Sequence, residues 1–600
     1  MVRIPIDTYA KRSLMNSFSS RSLLKSLSLC AAVTVGASLG ACSDSDPAMG
    51  MDVPTDPAAP PDDGGDTTPP DDGDDVEPPP PVTPGGDPGT IQNQPEVMGT
   101  ETPVSDKYWP RGEDQGVTDP DENFRALVMF QLRNQSELTS RVASMYDPSS
   151  AQFRKYLTVN EFMQNYAPSD SDVSAVKSWL TSQGFTITFT ARNRLIVKYA
   201  GTVRQFNKAF GTELHTIKRS PTTWRAPAYA PLTALDVPQP LIGKVKRLLM
   251  PDPEAEAGTL SNDSAPVLTT PPDGVAEKLS PAQITKAYGI NDLYAQGYKG
   301  AGMTIGVIGA TLFRFSDAQS MWQTFGISRK DPVVVQTLEP IITRDLETSL
   351  DIQLAGAIAP EAEVIYYGGP NNSDSTLLYT FNEAVGDAKA QVLSDSFAHA
   401  EYTTPAPVAR GYNESSLIAS ALGITVVSAS GDSNQVDVPS NSPYVTAVGG
   451  TNVELNADNS WKSEQSWGLS GCGLSRVFTL PVWQQGEYSK PNGKRTVADV
   501  SAVVGPYWVK YLGKWTYADG TSASTPVFAA VVALVNQYRQ AHGKPPVGYL
   551  NSLIYKHAAT RAAFRDITQI GYGGCATGSG YDLATGIGTP KAAELAVALP

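Results

Sequence analysis

Ser522 stands in the segment Gly520-Thr521-Ser522-Ala523-Ser524-Thr525-Pro526, ahead of an apolar, small-residue stretch over 525–538 that predicts a helix. A serine between a strand end and a helix start can present its hydroxyl to a substrate while nearby amides and the helix dipole stabilise developing negative charge. Taken alone, such a serine is more often a helix cap. Its partners therefore decide. Glu347-Thr348-Ser349-Leu350-Asp351 places two carboxylates four residues apart. On a helix they share a face and can hold one proton between them, leaving one member ionised to accept the serine proton. Ile352, Leu354, Ala355 and Ile358 continue this segment, so the helix lies against a core rather than in solvent. Asp432, in Ser430-Gly431-Asp432-Ser433, reads on its own as a turn residue. The chain has four histidines, His215, His399, His542 and His557, none in an evident catalytic setting.

These groups need a scaffold. Strand-like apolar runs at 303–308, 362–367, 391–394 and 423–429 alternate with helix patterns at 347–358 and 415–422. That alternation predicts an α/β unit over 279–600, a mainly parallel sheet flanked by helices. Upstream, helix patterns at 160–166 and 172–180 with strand patterns at 185–189 and 195–197 suggest a small α+β domain over 100–253. A polar, proline-containing linker over 254–278 follows, suited to proteolytic processing. Residues 43–99 are dominated by Pro, Gly, Asp and Thr and read as an extended, disordered spacer. Basic residues Lys11, Arg12, Arg21 and Lys25, an apolar run and then Leu39-Gly40-Ala41-Cys42 give 1–42 the order of an export signal. Cys42 after small residues matches a lipoprotein processing box, the cysteine becoming a lipid anchor; a plain secretory signal is the alternative. With Cys30 and Cys42 so assigned, Cys472 and Cys575 remain to form one disulfide in an oxidising compartment or to stay free. They are poor zinc ligands without partners.

The serine, the carboxylate pair and the third aspartate, in this order and setting, resemble the sedolisins, the serine-carboxyl peptidases. The resemblance extends over about 120–600, including Val438-Pro439-Ser440-Asn441-Ser442-Pro443-Tyr444-Val445, Val448-Gly449-Gly450-Thr451, Arg495 with Asp499-Val500-Ser501, and Gly586-Ile587-Gly588-Thr589-Pro590. Upstream, Tyr156-Leu157-Thr158-Val159-Asn160-Glu161-Phe162 resembles the family's propeptide. It implies a subtilisin-like α/β fold, a removable amino-terminal activation domain, one structural calcium ion, and endopeptidase or tripeptidyl-peptidase activity in acid. By residue, it implies Ser522 as nucleophile, Glu347 as base, Asp351 as its partner, and a protonated Asp432 supporting the oxyanion beside the Ser522 amide. Asp566-Ile567 and Gly578-Ser579-Gly580-Tyr581-Asp582 resemble the family's calcium loop. The implied ligands are the carboxylates of Asp566 and Asp582 and the carbonyls of Ile567, Gly578 and Gly580. Three departures bear on specificity rather than chemistry: Ser396-Phe397-Ala398 where the family reads Ser-Trp-Gly, Asn434 where it has glycine, and Gly471-Cys472-Gly473-Leu474-Ser475 in place of a more glycine-rich run.

The composition fits this reading. Six hundred residues with 41% apolar content exceed one core, and 46 basic against 61 acidic residues, a formal charge of -15, argue against general nucleic-acid binding. The expected partners are protein or peptide substrates and the chain's own propeptide. Two other readings compete: a histidine-dependent serine hydrolase, and a catalytically silent, lipid-tethered binding protein.

Overall fold

The computed structural model describes residues 113–219, 222–227, 241, 243–249, 278–341, 343–486 and 493–600. The expected export signal, the spacer and, apart from Lys278, the processing linker lie outside the described residues.

The amino-terminal part is α+β. Its four-stranded antiparallel sheet runs in the order Thr186–Thr190, Ile196–Thr202, Asn123–Phe130, Val245–Leu249. Asp170–Ser182 and Val203–Phe210 start at Ser169 and Thr202, whose side chains accept first-turn amides. Both helices close a core with Phe124, Val128, Val197 and Tyr199.

The carboxy-terminal part is organised by one eight-stranded sheet, in the order Trp461–Ser466, Thr446–Leu455, Thr425–Ala429, Val392–Asp395, Thr304–Gly309, Glu363–Gly368, Val333–Gln336, with Val500–Val503 also paired to Thr446–Leu455. All pairings are parallel except that of Trp461–Ser466. The central strands are buried throughout, as expected of a parallel sheet covered by helices. Leu346–Ile358 and Thr521–Ala541 pack along each other, and the latter also lies across the central strands. Asp374–Asp387 and Ala406–Ala421 form a second packed pair.

Two helices differ from expectation. The helix expected over 415–422 is the tail of Ala406–Ala421, whose first half carries Pro407 and Gly411, residues that interrupt a helix pattern in sequence. The helix expected from 525 starts at Thr521, with Pro526 inside it. The apolar, small-residue run that marked the helix begins at its fifth residue, and the earlier start has a chemical consequence for Ser522. Cys472 and Cys575 form a disulfide.

The amino-terminal part docks on the carboxy-terminal one through buried and half-buried polar contacts. Tyr146 Oη donates to Ser420 O (2.8 Å), Leu157 N to Ala421 O (2.8 Å), and Arg154 Nη1 to Pro546 O and Val547 O (2.9 and 3.0 Å). Asn193 and Asn382 exchange amide hydrogen bonds of 2.8 and 3.0 Å in a buried setting. Beside them Arg192 pairs with Glu383 (3.3 Å) and Asp387 (2.5 Å).

Candidate active site

Four segments converge. Asp345 caps Leu346–Ile358 by accepting from Thr348 N (2.9 Å), which fixes the first turn carrying Glu347. Asp351, one turn on, is fully buried. The Ser522 side chain acts on the Glu347 carboxyl, opposing the upward shift of its pKa. Burial first, then the charges of Asp345 and Asp432, push Glu347 up to about 8 against the opposing Ser522 contact. Asp351 is raised well above the ordinary carboxylate range by burial and then by the charge of Glu347. Glu347 Oε1 and Asp351 Oδ2 are buried without a hydrogen-bond partner among the described residues. One proton held between the two carboxyls is the economical solution to two adjacent buried acids.

Because Ser522 is the second residue of its helix, its amide is among the first-turn N–H groups that a helix leaves without an internal acceptor. Pro526 has the complementary effect at the other pole. It has no N–H to give the carbonyl four residues back, and Ser522 O instead accepts from Ser396 Oγ (3.3 Å). The same hydroxyl is 2.8 Å from Asp351 Oδ1. Ser396, the first residue after the strand Val392–Asp395, thus ties the Ser522 backbone to Asp351. In the sequence it was visible only as part of an altered cleft segment.

Asp432 lies on the loop after the strand Thr425–Ala429, its carboxyl turned onto Thr521. Its Oδ1 accepts from Thr521 N (2.9 Å) and Thr521 Oγ1 (2.6 Å), and Gly431 N donates to Thr521 Oγ1 (3.2 Å). Desolvation lifts its carboxyl above the ordinary range, with Asp519 adding to this and the two Thr521 bonds opposing it. Gly520 explains the glycine of the serine motif. Its φ is +129°, and a Cβ there would lie 2.5 Å from Asp432 Oδ2. Asn434, two residues beyond Asp432, has φ +54°. It adopts the left-handed conformation that a glycine would take, which asparagine tolerates better than most residues.

Asp395 and Asp437 were not foreseen. Both are buried and pushed up to about 7, chiefly by burial. The histidines have other partners: His215 with Asp114 (2.9 Å), His399 with Asp374 (2.7 Å) and its charge also acting on Asp395 and Asp437, His542 stacked on Tyr538, and His557 with its ring shifted down by burial.

Near the carboxy terminus, Gly580 N donates to Asp566 Oδ2 (2.7 Å) and Gly578 N to Asp582 Oδ2 (2.9 Å), so two carboxylates grip one turn. Asp582 Oδ1 also accepts from Thr585 N (2.8 Å). Ile567 is buried behind them. No cluster of three or more His, Cys, Asp or Glu side chains capable of holding a metal occurs among the described residues. The expected set asks for only two carboxylates; an all-oxygen donor set of this kind fits a hard cation.

A parallel α/β unit with a serine at a helix start, an acid pair on the neighbouring helix and a docked amino-terminal domain defines a class, and the comparisons name it. Residues 110–247 match the pro-kumamolisin activation domain and 343–575 the subtilase family. Kumamolisin of Bacillus sp. (strain MN-32) is 30% identical, over 82% of this chain and 94% of its own length. Tripeptidyl-peptidase 1 of Rattus norvegicus is 25% identical, over 82% of this chain and 95% of its own. A solved Pseudomonas sedolisin, a serine-carboxyl proteinase complexed with pseudo-iodotyrostatin, is 22% identical with a TM-score of 0.49, covering 54% of this chain and 98% of that one. The chain belongs to the kumamolisin (sedolisin) family of serine-carboxyl peptidases, with an amino-terminal activation domain and a subtilisin-like catalytic domain. It is a serine-type peptidase acting on proteins or peptides.

Proposed function

We propose that the protein is an acid-active endopeptidase that works through an acyl-enzyme on Ser522. The observation that carries this reading is the acid pair itself: Glu347 and Asp351 lie one turn apart on the same helix, each raised by burial, with the Ser522 side chain acting on Glu347. Glu347 accepts the Ser522 proton as Oγ attacks the peptide carbonyl. Asp351, held by Ser396 Oγ, keeps the shared proton and orients Glu347. The oxyanion forms between the Ser522 amide and Asp432. Both Thr521 donors occupy Oδ1, so the proton of a neutral Asp432 belongs on Oδ2, the oxygen over Gly520. Protonated Glu347 then donates to the leaving amine, and on the return step it takes a proton from the water that releases the acyl group. The requirement for a neutral Asp432 makes acid the working range.

The amino-terminal domain holds the enzyme latent until cleavage within 254–278. Burial raises Glu383 in the docked state despite Arg192, so this group by itself favours docking as pH falls. The acid trigger is therefore assigned to the catalytic site, not to that ion pair. Asp566 and Asp582, with the carbonyls of Ile567, Gly578 and Gly580, hold a structural Ca2+ that fixes the 566–582 turn. Cys42 anchors the exported protein through lipid. Among the described residues no helix is long and apolar enough to cross a membrane. A tripeptidyl-peptidase action is the second reading, favoured by the name of the Rattus norvegicus relative. Fragment lengths from a digested protein distinguish the two, internal cuts supporting the endopeptidase and a ladder of tripeptides refuting it.

A further inference from the structure

The described residues expose eight large apolar side chains, and three of them, Leu469 (51%), Ile570 (58%) and Tyr572 (102%), lie on two loops that run side by side. Ser466 N donates to Gln569 O (3.0 Å) and Gly571 N to Ser466 Oγ (3.0 Å). The backbones come so close that a Cβ on Gly468 would fall 1.6 Å from Tyr572 O. The Cys472–Cys575 disulfide closes the end of this ladder. These loops are also bound to the segment carrying Asp432. Asn434 N donates to Leu469 O (3.1 Å), and Gly471 N to Gly431 O (2.6 Å). A covalently braced rim that displays apolar side chains to water needs a reason, since isolated exposed residues are common but a gathered set marks a contact surface. Its continuity with the loop that faces the scissile carbonyl says what contacts it.

We propose that Leu469, Ile570 and Tyr572 form a docking rim for apolar side chains of an extended polypeptide substrate, at positions remote from the scissile bond. The proposal rests on the catalytic reading of Ser522 and Asp432. It makes the enzyme select unfolded chains rich in apolar residues over short peptides, because only a long chain reaches both the nucleophile and the rim. The segment around Cys472, which departs from the family's glycine-rich run, then has a function: it trades loop freedom for a fixed display.

The test uses one fluorogenic core peptide in three forms: short, extended on both sides with leucine and phenylalanine, and extended with serine. With wild type, the apolar extension should raise kcat/KM over the serine extension by about tenfold or more, the scale set by one or two additional apolar groups in a pocket. In the combined Leu469→Ser, Ile570→Ser and Tyr572→Ser variant that gain should vanish, with turnover of the short core unchanged. Tyr572→Ser alone, which removes a side chain fully open to solvent, should lose part of the gain. A gain that persists in the combined variant overturns the proposal. So does an equal loss on short and long peptides, which would make the loops a support for Asp432 alone, or a variant-sensitive self-association with the gain intact, which would assign the rim to a second copy. Wild-type turnover of the short core reports the peptidase reading separately.

Discussion

Asp432→Asn separates the proton on the oxyanion group from the group itself. Asparagine can place its carbonyl where Oδ1 now accepts from Thr521 N and Oγ1, and its amide nitrogen where Oδ2 lies over Gly520. It then donates to the oxyanion at every pH. In the wild type the same donor exists only while Asp432 is neutral. Losing one oxyanion donor costs roughly 10²–10³ in kcat. An ionised carboxylate about 3 Å from the oxyanion adds repulsion of about 5 kcal/mol at an effective dielectric of ~20, so the ionised enzyme is inert in practice. The sign follows from the site. Desolvation holds the carboxyl neutral above the ordinary range, activity persists below that raised value, and it falls as pH climbs through it. Initial rates on one fluorogenic peptide across acidic to neutral pH test this. Asp432→Asn should stay within about tenfold of wild type in acid and keep activity at pH about 7, where wild type has lost it, while Asp432→Ala should lose roughly 10²–10³ throughout. An asparagine variant that fails with the same alkaline midpoint as wild type would refute the assignment.

Other consequences follow from the same contacts. Stripping calcium should lower the melting temperature, as a site occupied at ~100 Kd contributes about 2.7 kcal/mol, and Asp582→Asn should melt alike with and without the ion; thermal scans with chelator that show no change for wild type would remove the site. Asp395 and Asp437 both sit above their unfolded values near 4, at about 7. Their contribution to stability is therefore complete below pH about 4 and is lost as pH rises through about 7. Processed enzyme held inactive by an active-site inhibitor should melt lower at pH about 8 than at pH about 5, and a flat or rising curve would contradict this. Asn193→Ala leaves the buried Asn382 without its reciprocal partner, a cost of about 1–3 kcal/mol to docking. Self-processing, followed by the appearance of the new amino terminus, should accelerate.

The acid pair and the serine were legible because a helix converts a spacing of four into a shared face, and because the chain has so few histidines to compete. The parallel sheet was legible too, its strands being short apolar runs separated by helices. What the sequence did not disclose was contact across the sheet. Ser396 is an ordinary serine until the missing N–H of Pro526 leaves Ser522 O open to it, and Asp345 and Asp395 reach the acid pair only once folding brings their charges beside it. The serine helix starts four residues before the apolar run that marked it, with Thr521 hydrogen-bonded to Asp432. The apolar rim depends on two loops about 100 residues apart in sequence being joined through Cys472 and Cys575, a pairing the cysteine count allowed without requiring.

The claim that a carboxylate, not an imidazole, activates Ser522 is tested most directly by kcat and KM of Glu347→Gln set beside His399→Gln, His542→Gln and His557→Gln, in acid, on processed enzyme. Glu347→Gln should lose kcat by about the 10²–10⁴ that a general base supplies, or more, with KM nearly unchanged, and the three histidine variants should turn over within a few-fold of wild type. Full activity in Glu347→Gln, with one histidine variant inactive, would contradict the account.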